Sequence, residues 1–164
     1  MIVLREPRRP APTSPERSRI MRAVRRQATG PERRLQEALR SLGLRFATNA
    51  RDLPGSPDIV FRRQRVAVIV HGCFWHRHRN CPRTTTPRSN VDYWHAKFAA
   101  NVDRDRRKLA ELRRLGWKAI VLWQCEIEAD PLKAAQRVFS ILAPEGKVSR
   151  PRSRQSSSRP GRSR

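Results

Sequence analysis

From His71 to Cys81 the chain reads His-Gly-Cys-Phe-Trp-His-Arg-His-Arg-Asn-Cys, with three histidines, two cysteines and two large aromatics in eleven residues. A solvent loop has no need of that composition, and a hydrophobic core has little use for so many imidazoles. Thiolate sulfur and imidazole nitrogen at short spacing are the ligands that tetrahedral zinc prefers. The third cysteine, Cys125, stands far downstream at the end of an apolar run, where a strand end could deliver one distant ligand. The expectation is a structural Cys3His zinc site. By spacing alone, either His76 or His78 could join Cys73 and Cys81 in it.

A second group of residues suits phosphate chemistry. Asp58 follows Pro57 and opens the short apolar run Ile59-Val60-Phe61. Arg62 to Arg65 make a turn, and the apolar run Val66 to Val70 then leads to His71. A Pro-Asp step before one strand, followed by a strand carrying the next catalytic group, is the skeleton of restriction-endonuclease-like nucleases. In those enzymes the Asp binds Mg2+ beside the scissile phosphate. The dipeptide alone is weak, because Pro-Asp also serves simple turns. The acidic-x-Lys expected on the second strand is missing, so in a nuclease the histidines would have to replace that lysine. Farther on, Asn101 and Asp105 are four residues apart, share one helix face and could point at one metal-bound phosphate. The blander reading of that arginine-rich stretch is a solvated surface.

The charge points the same way. Lys and Arg total 37 against 14 Asp and Glu, for a formal net charge of +23 over 164 residues. Such an excess implies a polyanionic partner. Nucleic acid fits better than a membrane, because no basic amphipathic helix suited to lipid is evident. Three cysteines, no signal peptide and no apolar span of membrane length argue against a disulfide framework and for a reduced compartment. The length allows one domain with a real core.

The elements that must position these groups follow from pattern. Thr29-Gly30-Pro31-Glu32 reads as a capping box, in which Glu32 would close the helix start. The helix buries Leu35, Ala38, Leu39 and Leu42, and Gly43 ends it. Leu44 to Thr48 reads as a strand. Asp58 to Phe61 and Val66 to Val70 form a hairpin whose second strand is apolar on both faces. A long helix from about Val91 to Leu115 carries Val91, Trp94, Phe98, Val102, Leu109 and Leu112 on one stripe. Gly116 ends it, and Trp117 to Trp123 form the strand that delivers Cys125. Asp130-Pro131 starts a closing helix with Leu132, Ala135, Val138, Phe139 and Leu142 on its apolar face. Residues 1–15 read as a disordered basic arm, with Ser18 to Arg26 able to fold onto DNA. Residues 144–164 read as a disordered Ser/Arg/Pro-rich basic tail.

Taken together, Pro31-Glu32, Leu53-Pro54-Gly55-Ser56-Pro57-Asp58, His71-Gly72-Cys73-Phe74-Trp75-His76, Asn101-x-x-Arg104-Asp105, Gly116-Trp117 and Trp123-Gln124-Cys125 occur in one order. The series resembles the very-short-patch-repair (Vsr) endonucleases, over roughly Ser18 to Leu142. The His-Gly-Cys-Phe-Trp-His string is the most specific part. The resemblance implies an α/β, restriction-endonuclease-like fold with a central mixed sheet flanked by helices and a structural zinc site, in a domain at 16–143. It implies an enzyme that nicks the T-containing strand 5′ to the T of a T·G mismatch left by 5-methylcytosine deamination, starting very short patch repair. Asp58 would be the main Mg2+ ligand with the main-chain carbonyl of Val70. His76 would be the general base, with His71 in support, and Glu32, Asn101 and Asp105 would hold the water shell of the metal. Cys73, His78, Cys81 and Cys125 would bind structural Zn2+, and Phe74, Trp75 and Trp94 would wedge into the duplex.

The implied partner is double-stranded DNA with a T·G mismatch. A cytosine-5 methyltransferase and mismatch-repair proteins would be companions of a monomeric enzyme in the bacterial cytoplasm, at the nucleoid. Two departures stand out: Val70 replaces the frequent Thr, which a carbonyl ligand tolerates, and Gln124 stands where many members have Glu. Two rival readings remain at this level. One is a zinc-stabilised nucleic-acid-binding protein without catalysis, which would leave Asp58, Asn101 and Asp105 idle. The other is a same-fold nuclease specific for a different DNA structure.

Overall fold

The computed structural model describes residues 7, 8, 10 and 29–142. The proposed domain boundaries, most of the basic arm, the Ser18–Arg26 segment and the basic tail lie outside them. Nine elements follow in order: α1 (Gly30–Ser41), β1 (Ala47–Thr48), β2 (Ile59–Phe61), β3 (Val66–His71), α2 (Cys73–His76), α3 (Val91–Arg114), β4 (Lys118–Trp123), α4 (Gln124–Ala129) and α5 (Pro131–Leu142). The strands form one mixed sheet in the order β1-β2-β3-β4. The first two pairings are antiparallel, and β3 and β4 run parallel, from Val66 opposite Lys118 to His71 opposite Trp123.

Alternation along these strands divides the core in two. Ile59, Phe61, Val66, Val68, Ile120 and Leu122 face Leu35 and Leu39 of α1, Ile127 of α4 and Ala134, Ala135 and Val138 of α5. Val60 and Ala67 face the opposite way, where Leu112 of α3 covers them together with Ile69, Trp117 and Ala119. Helices therefore lie on both faces of a mixed sheet, which is the expected restriction-endonuclease-like architecture. It also explains the uninterrupted apolar run of β3, a central strand buried from both sides.

Several sequence expectations change in detail. Thr29 is the N-cap of α1, but its side chain makes no bond to the helix backbone. Its hydroxyl donates instead to the Glu32 carboxylate at 2.7 Å, so the capping box does not form. Glu32 is buried at 5% exposure, and its charge acts on Asp58. The strand expected from Leu44 shrinks to Ala47–Thr48. Two helices escaped the sequence reading. The four-residue α2 is too short for a periodic signal, and in α4 Cys125 occupies the first turn after β4.

The closing helix α5 starts as expected, with Asp130 Oδ1 accepting from the Lys133 N–H at 2.9 Å. Its core face is Ala134, Ala135 and Val138, while Leu132 and Phe139 stay 46% and 47% exposed. Small residues allow α5 to lie close on α1, and that rotation turns the two larger ones outward. On α3, Phe98 and Leu112 are buried, and Val91 at the helix start is exposed.

Leu122→Ala, at a fully buried position of β4, should lower stability by about 2–5 kcal/mol. Leu132→Ala should change it by less than about 0.5 kcal/mol. Urea unfolding of both variants checks the assignment of core and surface.

Candidate active site and metal centre

The site gathers where the parallel pair β3 and β4 ends. Asp58 immediately precedes β2, and its Oδ2 accepts the Val70 N–H at 2.7 Å. The last β2–β3 pair is Ile59 with Val68, so Val70 lies beyond the hairpin ladder. The N–H and C=O of one strand residue face the same edge, which directs the Val70 carbonyl to the side of the Asp58 carboxylate. Burial pushes the Asp58 carboxyl up to about 6, and the nearby Glu32 carboxylate adds to this, against the opposing Val70 hydrogen bond and the charge of His76. The two carboxylates thus repel each other in a protected place, a repulsion that a cation would relieve.

His71 closes β3 and is buried at 6% exposure. Its ring stacks on His76 with centroids 4.0 Å apart and planes 8° from parallel. Burial is the main cause that lowers His71 to about 4, and the His76 and Lys108 charges add to it while Asp105 opposes it. His71 is therefore a neutral imidazole at neutral pH. His76, at the end of α2, places Nδ1 2.5 Å from Asp105 Oδ2 on α3. Burial pushes Asp105 up, but the hydrogen bond and charge of His76, with His71 and Arg104, outweigh it and hold the carboxyl below its usual range. Asp105 thereby fixes the Nδ1–H tautomer of His76 and leaves Nε2 free to accept a proton. Ligand atoms of His71, His76 and Asp105 lie within 4.8 Å of one another.

Asn101 shares the α3 face with Asp105 but is spent differently. It is buried, its Nδ2 donates to the Trp75 carbonyl at 3.1 Å, and its Oδ1 accepts from Arg104 at 3.0 Å. It ties α3 to α2 and so holds the segment on which His76 rides.

The second centre is built from α2, the segment that follows it and α4. Cys73, His78, Cys81 and Cys125 bring one ligand atom each within 4.8 Å of one another, and this cluster can bind a metal ion. His78 Nδ1 is 3.7 Å from Cys73 Sγ and 3.2 Å from Cys125 Sγ. The structure thereby resolves what spacing left open: His78 faces the cysteines, and His76 faces Asp105. A backbone hydrogen bond from Arg83 holds the Cys81 thiol below its ordinary value. Burial and the neighbouring Cys73 and Cys81 sulfurs push Cys125 up to about 12. A bound cation reverses that balance and deprotonates the thiols.

Residues that pattern did not reveal support both centres. The Thr84 hydroxyl donates to the carbonyls of His78 at 2.8 Å and Cys73 at 3.2 Å. Trp123 stacks face to face on His78, at 4.2 Å and 9°, and meets His71 edge-on at 5.3 Å. Gln124, the departure from Glu, donates to Glu128 at 2.9 Å, and Glu128 also pairs with Arg83. This links the loop that carries Cys81 to the helix that carries Cys125. Phe74, Trp75 and Trp94 are half-buried and pack edge-on or tilted against one another, with Phe98 beneath and Arg77 lying 4.3 Å over the Phe98 ring.

The family model described as DNA mismatch endonuclease Vsr matches residues 12–83. A nicking enzyme of Xanthomonas oryzae, V.XorIIP, is 46% identical over 132 residues, spanning 80% of this chain and 96% of the relative. The DNA mismatch endonuclease Vsr of Escherichia coli is 39% identical over 111 residues, 68% of this chain and 70% of its own length. The nicking enzyme V.NaeI of Lentzea aerocolonigenes is 39% identical over 131 residues, spanning 76% of this chain and 77% of the relative.

The two buried titrating groups generate opposite pH dependences. Asp58 is raised in the fold, so its contribution is present below about pH 4 and is lost as pH rises through about 6. His71 is lowered, so its contribution is lost as pH falls from its unfolded value through about 4. Each is worth up to about 3 kcal/mol. Between pH 4.5 and 6, without Mg2+, Asp58→Asn should gain stability relative to wild type as pH rises, and His71→Gln should lose it. Urea unfolding of the three proteins across that range measures the two differences, from which any shared proton dependence cancels.

Proposed function

Because the chain belongs to the Vsr family of DNA mismatch endonucleases, for which nuclease activity is the indicated chemistry, we propose that it nicks DNA at T·G mismatches. The cut would fall on the T strand, 5′ to the T, by Mg2+-dependent phosphodiester hydrolysis. The observation that carries this reading is Asp58, bonded to the Val70 N–H at the end of the strand that leads through His71 to the His76–Asp105 pair. The nicking and mismatch activities in the names of the relatives support it.

In this mechanism His76 Nε2 takes a proton from the attacking water as its oxygen bonds to phosphorus and the P–O bond to the leaving sugar oxygen breaks. Asp105 stabilises the imidazolium that forms. The neutral His71 ring, stacked on His76, supports it without adding a competing positive charge. Asp58 and the Val70 carbonyl would hold Mg2+, with Glu32 and Asp105 around its water shell, whereas Asn101, engaged by Trp75 and Arg104, would hold the segment that carries His76. When bound, that ion supplies the positive charge that phosphodiester hydrolysis needs. A largely desolvated Asp58 carboxyl, raised further by the charge of Glu32, fits such an ion.

Cys73, His78, Cys81 and Cys125 would hold structural Zn2+. Tetrahedral bonds of about 2.3 Å to sulfur place the ligands about 3.8 Å apart, and slightly less for nitrogen. The His78 distances to the two sulfurs, 3.7 and 3.2 Å, fit that spacing. Phe74, Trp75 and Trp94 would be the wedge, a preassembled and partly exposed group of rings beside the site. Opening a base step costs a few kcal/mol, and a mismatched step costs least, so such a wedge favours T·G. A cytosine-5 methyltransferase, whose product deaminates to T, is the natural companion in the bacterial cytoplasm, with mismatch-repair proteins acting alongside.

Wild-type protein with Mg2+ should nick the T strand of a labelled T·G duplex in a suitable methylation-site context. His76→Ala should lower the rate by about 10²–10⁴-fold, and Asp58→Ala should abolish it. Tight binding without cleavage in every context, unchanged by Asp58→Ala, would establish a non-catalytic binding module instead. Equal nicking of paired or unpaired duplexes would point to another structural specificity.

Elemental analysis should find one zinc per chain. Cys125→Ser should lose it and unfold at lower temperature.

A further inference from the structure

The second strand of the hairpin, β3, carries no lysine, yet a lysine approaches the site from another element. Lys108 lies three residues beyond Asp105 on α3, which puts the two on neighbouring positions of one helix face. Its aliphatic stem runs across Gly55: a Cβ added there would sit 3.1 Å from Lys108 Cδ and 3.3 Å from Lys108 Cβ. Gly55 holds φ at +82°, in the loop that leads into Asp58, so both its conformation and its lack of a side chain admit the lysine. Lys108 is half-buried, and its positive charge acts on His71. It forms no ion pair with a carboxylate among the described residues.

An ammonium held by a packed stem, beside a neutral imidazole and with no carboxylate of its own, suits an anion brought from outside. We propose that Lys108 binds a backbone phosphate of the DNA at the active site, so that α3 supplies the cation missing from β3. The proposal rests on the nuclease reading above. The contact reads no base. It fixes where the backbone lies relative to Asp58 and His76.

The variants Lys108→Gln, which keeps most of the stem over Gly55, and Lys108→Arg, which keeps the charge, separate charge from packing. Nicking of a T·G duplex is followed with Mg2+, and binding of the same duplex is followed by anisotropy without Mg2+ from 50 to 200 mM salt. K108Q should lower kcat/KM by about ten- to a hundredfold, as loss of a charge-assisted contact does. It should also reduce the slope of log K against log salt by about 1. Its melting temperature should match wild type, and K108R should restore rate and slope. Wild-type rate and salt slope in K108Q would overturn the proposal, and so would a loss that K108R fails to restore. If wild type nicks no duplex, the nuclease reading falls, whereas the salt slope still decides whether Lys108 meets a phosphate.

Discussion

The parallel pairing of β3 with β4 is the constraint on which both centres depend. Its last register pair, His71 opposite Trp123, puts two chain segments side by side that are about fifty residues apart. The chain leaving β3 carries Cys73, His76, His78 and Cys81, and the chain leaving β4 carries Cys125 in the first turn of α4. A slip of one residue would turn Val68 and Leu122 out of the core that they share with α1 and α5. Burial on both faces therefore fixes the register, and the register fixes the chemistry. Trp123 shows how closely the centres are joined, since one indole touches His71 of the first and His78 of the second. A structural ion at the cysteines would thus act through packing on the histidine pair. It would not need to approach the substrate.

Electrostatics in the first centre work by division of labour. Burial and the Glu32 charge raise the Asp58 carboxyl, and burial above all keeps His71 uncharged. Asp105 spends its charge on His76. Each group in isolation would be costly to bury. Under the proposed function, these groups would complement one another, Asp58 holding the cation and Asp105 orienting His76.

Much of this was legible in the sequence because it lies in short, chemically loud segments. The His-Gly-Cys-Phe-Trp-His string, the Pro-Asp step and the apolar run of β3 each point to a place in the fold. Less could be read where one residue had two local uses. Glu32 satisfies the sequence rule for a helix cap, and only the bond it accepts from the Thr29 hydroxyl shows that the rule is not used. His76 and His78 are interchangeable by spacing, and the left-handed turn at Arg77, with φ +57°, sends them to different centres. Asn101 and Asp105 share a face as periodicity requires, but periodicity cannot tell that one holds a carbonyl of α2 and the other an imidazole. Leu132 and Phe139 extend an apolar pattern into solvent because the alanines of α5 make the closer contact.

The global charge and the local site answer different questions. A formal charge of +23 brings the protein to any DNA, with affinity that falls steeply with salt and carries no sequence information. Discrimination has to arise from a step whose cost differs between duplexes. In this protein Phe74 and Trp75 share α2 with His76, and Asn101, whose amide grips the Trp75 carbonyl, ties to it the helix that carries Trp94. Under the proposed function, a ring group so placed would couple the opening of a base step to the placement of the backbone at Asp58. Duplexes that resist opening would then be bound by charge but misaligned for cleavage, so specificity in rate can exceed specificity in binding.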